Sequence, residues 1–219
     1  MTNNSLERLA AAGGLITVVL FFIGWFIYGK GPSAGDEAAS IVRFFVDNRE
    51  QVLSALFVQG LAVITMIWFM SALVLAMRDA GELLLAVATG LTLILALALG
   101  AASTMMRMGV AFVVVRDVDP GTVAAIFRLG HILDTSQNII SAGFFFTVAL
   151  AAIRTRFIPA WWGWVSVAAG LWAVISTTAW NLTGFWSPEG AGFLNVVFYI
   201  VWVGGTSILL IMRTRKGAA

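Results

Sequence analysis

The sequence predicts an all-α, polytopic transmembrane helical bundle with six spans, a short amphipathic surface helix, and a projecting hairpin on the outer side. Three observations predict this class. Of the 219 residues, 60% are hydrophobic and only 11% are charged, whereas a soluble domain carries about 25% charged residues. Apolar runs long enough to cross a bilayer recur along the chain. All four prolines fall in or beside the connections between these runs, where the missing N–H does least harm.

The six apolar runs form one integral membrane domain, with spans at about residues 9–28, 52–77, 82–103, 132–153, 159–180 and 193–212. Trp25 and Tyr28 end the first run, as interfacial anchors do. A cleaved signal peptide is the alternative for this segment. The run is long for a signal peptide, and a single arginine, Arg8, precedes it.

A loop rich in glycine and proline follows the first span, and residues Asp36–Glu50 then show helical periodicity. Ile41, Phe44 and Phe45 recur on one face. Ser33 or Asp36 is expected to cap the helix. An amphipathic helix between two spans is expected to lie on the membrane surface.

The third and fourth runs are too long for a bilayer alone. The third continues from Glu82 toward Val115, which as a helix would be roughly 50 Å long against about 30 Å of hydrocarbon. Asp119-Pro120-Gly121 breaks the chain, and the fourth run is similarly long. We therefore expect an antiparallel hairpin whose tip stands outside the membrane.

Basic residues predict the orientation, because positive charge accumulates in cytoplasmic loops. With six spans, seven basic residues share one side, and both termini are then cytoplasmic in the plasma (inner) membrane. These residues are Arg8, Arg78, Arg154, Arg156, Arg213, Arg215 and Lys216.

The stretch Arg128–Ser141 contains the only histidine. Six of its polar residues fall within about 140° of a helical wheel, with Gln137 at the edge of this arc: Arg128, His131, Asp134, Thr135, Asn138 and Ser141. Charged side chains are costly against lipid, at about 2.5–3.5 kcal/mol for a central position. We therefore expect this face to contact protein or a cavity and Asp134 to have a polar partner. Packing on another helix outside the hydrocarbon is the alternative reading.

Residues at the same predicted depth complete an outward-facing polar and aromatic cup: Arg107, Arg128, His131, Asp134, Gln137, Asn138, Trp180, Asn181, Glu189 and Asn195.

The composition excludes several kinds of chemistry. The chain has no cysteine and one histidine, so disulfides, thiolate catalysis and histidine-rich metal sites are not expected. No cofactor is predicted, and the small, dispersed net charge of +2 argues against a nucleic-acid partner.

Three functions remain open from the sequence. The first is a non-enzymatic binding or accessory protein for a lipid, a small lipophile or a partner subunit. Small residues such as Gly13, Gly14, Ser166, Gly170, Gly204 and Gly205 would allow close helix contacts within the chain or in a homo-oligomer. The second is a proton- or ion-coupled transporter. The third is a membrane enzyme that uses His131 and Asp134 as an acid/base pair.

Residues 29–81, GKGPSAGDEAASIVRFFVDNREQVLSALFVQGLAVITMIWFMSALVLAMRDAG, follow an apolar first span. This stretch resembles an arrangement in actinobacterial integral membrane proteins of unknown function. Those proteins combine a Pro/Gly loop, an amphipathic helix ending near Asp/Asn-x-Arg, and a long second span closing on an arginine. The resemblance implies the six-span layout and no established activity, so it assigns no functional residue.

Overall fold

The computed structural model describes residues 3–113, 119–179, 181 and 184–216. All regular secondary structure among these residues is helical, with no strand, which confirms the predicted helical membrane bundle. The elements are α1 (Asn3–Tyr28), α2 (Ala38–Asp47), α3 (Arg49–Asp79), α4 (Leu83–Val113), α5 (Pro120–Thr155), α6 (Ala160–Ser176), a π-helical turn (Pro188–Gly192) and α7 (Phe193–Lys216).

Five of the described helices, α1, α3, α4, α5 and α7, are long and apolar enough to cross a membrane. The helix α6 is also apolar but has 17 residues, about 26 Å at 1.5 Å per residue. It ends at Ser176 rather than at Trp180, where the sequence placed the end of the fifth span. Trp162 contacts Thr206 and Trp172 contacts Phe198, so α6 runs antiparallel to α7 through most of the bundle.

The five long helices and α6 form a closed ring in chain order. Each helix packs against the next one, and α7 returns to pack against α1. One end of the ring, here called the terminal end, carries the start of α1 and the end of α7: Arg8 donates to the Thr214 carbonyl at 3.2 Å, and Arg213 donates to the Ala76 carbonyl at 2.9 Å. Arg154 pairs with Glu82 at the same end, at 2.8 Å. The opposite end, with Asp119, is the hairpin end.

An aromatic cluster fills the middle of the ring. The Trp202 ring of α7 is 1% exposed and makes edge contacts with Phe144, Phe145 and Phe69, with ring centroids 5.1, 5.4 and 6.4 Å away. Its indole N–H donates to Ser166 of α6 at 2.7 Å. One buried side chain therefore joins α3, α5, α6 and α7.

Glycines allow the helices to approach closely within the chain. A Cβ on Gly13 would lie 2.6 Å from the Thr65 carbonyl oxygen of α3, and one on Gly170 would lie 2.7 Å from the Phe146 ring. A Cβ on Gly205 would overlap the Trp162 ring. At these positions the small residues serve packing inside one chain, which was one of the two readings of the sequence.

The predicted amphipathic helix is confirmed as α2, but protein rather than lipid covers its apolar face. Ile41 and Phe45 are fully buried in a second apolar cluster, which includes Val110 of α4 and Phe127 of α5. The helix is also shorter than predicted, because the chain turns at Asn48 before α3 begins. Neither Ser33 nor Asp36 caps it: Glu37 is the N-terminal flanking residue and makes no side-chain cap bond.

The predicted hairpin consists of α4 and α5. The helix α4 continues unbroken past Thr104 to Val113, as predicted. Asp119 caps α5 by accepting a hydrogen bond from the Thr122 N–H at 2.9 Å, with Pro120 in the first turn. Residues 114–118 of the predicted tip lie outside the described residues.

Candidate functional site

Asp134 of α5 forms an ion pair with Arg107 of α4, which is one of the residues predicted at the same depth. Helical side chains point toward the N-terminus of their own helix. Because α4 and α5 are antiparallel, the Arg107 side chain points toward the terminal end and that of Asp134 toward the hairpin end, so they meet. The guanidinium also donates to the Ser103 hydroxyl at 3.0 Å. The sequence prediction that Asp134 has a cationic partner is therefore confirmed.

The depth of this pair follows from the other ion pair of the hairpin. Asp134 precedes Arg154 by about 20 residues of continuous helix, or roughly 30 Å, and Arg154 pairs with Glu82 at the terminal end. The two ion pairs are therefore separated by about one hydrocarbon thickness. The second apolar cluster, with Phe127 and α2, lies beyond the Arg107–Asp134 pair, on the hairpin side.

His131 lies about one helical turn before Asp134 on α5. Its ring packs edge-on against Phe127, with centroids 4.7 Å apart, and its carbonyl accepts a hydrogen bond from Thr135 at 3.0 Å. The Asp134 carboxylate accepts a hydrogen bond from Arg107. The use of His131 and Asp134 as an acid/base pair stays a prediction.

Asn138 and Asn195 form a second polar contact, between α5 and α7. The Asn195 amide donates to the Asn138 side-chain oxygen at 2.8 Å, and the two residues are 8% and 6% exposed. Within the described part of the chain, the Asn195 side-chain oxygen has no hydrogen-bond partner. Gln137 lies against α4, where its amide oxygen would be 2.8 Å from a Cβ on Gly100. These residues face protein, as the energetic argument predicted.

Two other predicted residues make their contacts elsewhere. Arg128 donates to the carbonyls of Ala34 and Asp36, both at 3.0 Å, and so anchors the loop before α2. Asn181 is exposed, and its backbone N–H donates to the Trp186 carbonyl. Trp180 and the Glu189 side chain lie outside the described residues. The structure therefore shows two polar pairs and a loop anchor among the residues of the predicted cup.

A wide groove at the hairpin end was not predicted. It has a volume of about 1220 Å³ and lies between the end of α1, the loop after it and residues 184–190. Its walls include Phe22, Ile23, Trp25 and Phe26, and the polar residues Lys30, Ser33 and Asp36 also line it. Phe26 is 88% exposed, while Trp25 packs on Phe193 with ring centroids 5.3 Å apart.

The sequence signal for this groove lies in apolar and loop residues rather than in polar residues on the helices. Four large apolar residues within Phe22–Phe26 end the first span, and a loop with a cation and an anion follows at once. Gly29 adopts a positive φ of 67°, a backbone conformation that glycine tolerates best, and it turns the chain out of α1. Only the position of residues 184–190 could not be read from this pattern.

The site offers no evident metal centre: the residues that the structure describes contain no group of three His, Asp or Glu side chains placed to hold a metal ion. Comparison with known proteins gives no further assignment, because no protein-family model, no curated protein and no solved structure matches this chain.

Proposed function

We propose that the chain is a non-enzymatic binding protein of the plasma (inner) membrane that holds a membrane lipid in the groove beside α1. Both termini are then cytoplasmic, and the hairpin end faces outward. The orientation applies the positive-inside rule to the terminal end, where Arg8, Arg78, Arg154 and Arg213 lie. Lys30 and Arg128 lie at the hairpin end.

The single observation that carries the proposal is the groove itself. Its walls are mostly apolar and aromatic, and its polar residues are concentrated in the loop that follows α1. Trp25 and Tyr28 occupy the end of a membrane-spanning helix, where aromatic side chains favour the boundary between hydrocarbon and headgroups. A groove that is apolar on its membrane side and polar beyond it fits an amphipathic molecule with acyl chains.

Binding is preferred to transport because of the aromatic cluster. Trp202, Phe144 and Phe145 are at most 1% exposed and fill the ring interior next to the level of Asn138 and Asn195. A transport path past Asp134 would need these side chains to separate. The groove, in contrast, is open in the structure as it stands.

Lipid retention by the purified protein tests the proposal. The full chain is purified in mild detergent from membranes, and bound lipid is counted by native mass spectrometry. Phe26→Ala is expected to retain less lipid than the unaltered protein, because Phe26 contributes apolar area to the groove. Leu84→Ala is the matched control, since Leu84 is 81% exposed on α4 near the terminal end. Equal retention by the two variants would contradict the proposal.

A further inference from the structure

The rim of the groove carries one cation and one anion within a single short loop. Lys30 and Asp36 both line the groove. Lys30 is exposed, and neither residue takes part in an ion pair with any described residue. Each charge is therefore available to a ligand in the groove.

The anion is held in place by bonds that leave part of its carboxylate open. One oxygen of Asp36, Oδ2, accepts a hydrogen bond from the Ser33 N–H at 2.9 Å. The Asp36 backbone carbonyl accepts from Arg128 of α5 at 3.0 Å, and the Ala34 carbonyl accepts from the same guanidinium. Among the described residues, no hydrogen bond engages Oδ1 of Asp36. The loop is thus tied to α5 while a carboxylate oxygen remains for a donor in the groove.

From this juxtaposition we infer that the groove selects a glycerophospholipid whose headgroup carries a phosphate and a primary ammonium group. The inference rests on the proposed function and adds the class of headgroup. Lys30 binds the phosphate as a flexible ammonium donor. The Asp36 carboxylate accepts a charge-assisted hydrogen bond from the lipid ammonium. The acyl chains lie against Phe22, Ile23 and Phe26.

The same two charges discriminate against other common headgroups. A trimethylated ammonium has no N–H and cannot donate a hydrogen bond to Asp36. A lipid whose only charge is its phosphate is attracted by Lys30 but repelled by the nearby carboxylate. A lipid that makes a charge-assisted hydrogen bond to a partly exposed carboxylate should bind about tenfold more tightly than a lipid that cannot make this bond. We therefore expect about a tenfold preference for the ethanolamine headgroup over choline and glycerol headgroups.

The test uses the full chain in nanodiscs that contain equal amounts of phosphatidylethanolamine, phosphatidylcholine and phosphatidylglycerol. The nanodisc lipid is removed stepwise, and the lipid that remains on the protein is identified by native mass spectrometry. The unaltered protein is expected to retain phosphatidylethanolamine about tenfold above the other two lipids. Asp36→Asn keeps an acceptor for the Ser33 N–H but removes the negative charge, so it should retain lipid with the ethanolamine preference lost.

Lys30→Gln provides a second variant on an exposed side chain, and it should lower retention of all three lipids. Asp47→Asn and Arg43→Gln change an acid and a base on the exposed face of α2, outside the groove, and should leave the preference unchanged. Retention without headgroup preference, or an unchanged preference in Asp36→Asn, would overturn the headgroup inference and leave the groove intact as a lipid site. Undiminished retention in Phe26→Ala would instead overturn the lipid site itself.

Discussion

The ion pair between Arg107 and Asp134 should contribute measurably to the stability of the hairpin. The two side chains are 20% and 36% exposed, between a surface pair and a buried one. Exposed ion pairs contribute about 0–1 kcal/mol, whereas removal of one member of a buried pair costs about 3–5 kcal/mol. We therefore expect Asp134→Leu to lower the free energy of unfolding by about 2 kcal/mol, between these two ranges.

Most of this loss is expected to come from the arginine that is left without its carboxylate. Arg107→Met/Asp134→Leu should consequently be more stable than the sum of the two single variants predicts, with a coupling of at least about 1 kcal/mol. For a chain of this size, 2 kcal/mol corresponds to roughly 4–8 °C in thermal midpoint. Asp134→Asn retains a hydrogen-bond acceptor, so it should lower the free energy of unfolding by less than Asp134→Leu.

The assay is thermal unfolding in detergent, followed by the fluorescence of the tryptophans for all members of the mutant cycle. Arg78–Asp79 is the matched control pair, since its side chains are 56% and 49% exposed at the terminal end. Its removal should change the free energy by no more than about 1 kcal/mol. Additive effects of the Arg107 and Asp134 variants would refute the argument that these charges compensate each other.

Three further predictions follow from the packing, the loop anchor and the topology. Gly205→Ala should lower stability by about 1–3 kcal/mol in thermal unfolding, because the new methyl group displaces the Trp162 ring and with it the hydrogen bond to Thr206. Gly60→Ala is its control: a Cβ there meets nothing within 4 Å, so a loss of stability at Gly60 equal to that at Gly205 would contradict the packing argument. Arg128→Met should release the loop at Ala34 and Asp36 and speed limited proteolysis between α1 and α2, whereas Arg43→Met on the exposed face of α2 should not; equal cleavage rates would show that Arg128 does not hold the loop. Reporters fused after Ala219 and within Ser187–Ala191 should report opposite sides of the membrane, and a periplasmic signal from the C-terminal fusion would overturn the proposed topology.

Hydropathy and the positions of the prolines were sufficient to predict the helices. The overlong hairpin was also predictable, because α4 and α5 carry helical residues well past the length that a bilayer requires. The end of α6 was less accessible: Trp180 has the character of an interfacial anchor, although the helix ends four residues earlier, at Ser176. Hydropathy measures transfer into lipid, and it does not detect where a helix ends.

The candidate site was predictable only in part. The cost of a carboxylate near the membrane boundary required a partner for Asp134, and Arg107 was one of the candidates at that depth. Depth alone could not separate Arg107 from Arg128. Arg107 precedes the hairpin tip and Arg128 follows it, at similar distances along the helices. Arg128 instead anchors the loop at Ala34 and Asp36, an arrangement that depends on where α2 packs.

The sequence by itself determined that the chain is a helical membrane protein, where its long apolar helices lie, and that its polar residues on α5 must face protein. These properties follow from local composition and from the cost of exposing charge to lipid. Only the tertiary structure decided which side chains meet: Arg107 with Asp134, Asn138 with Asn195, and α2 with the hairpin rather than with lipid. The tertiary structure also decided the groove. The helix α1 and residues 184–190 are distant in sequence, and they become neighbours only when α7 closes the ring against α1.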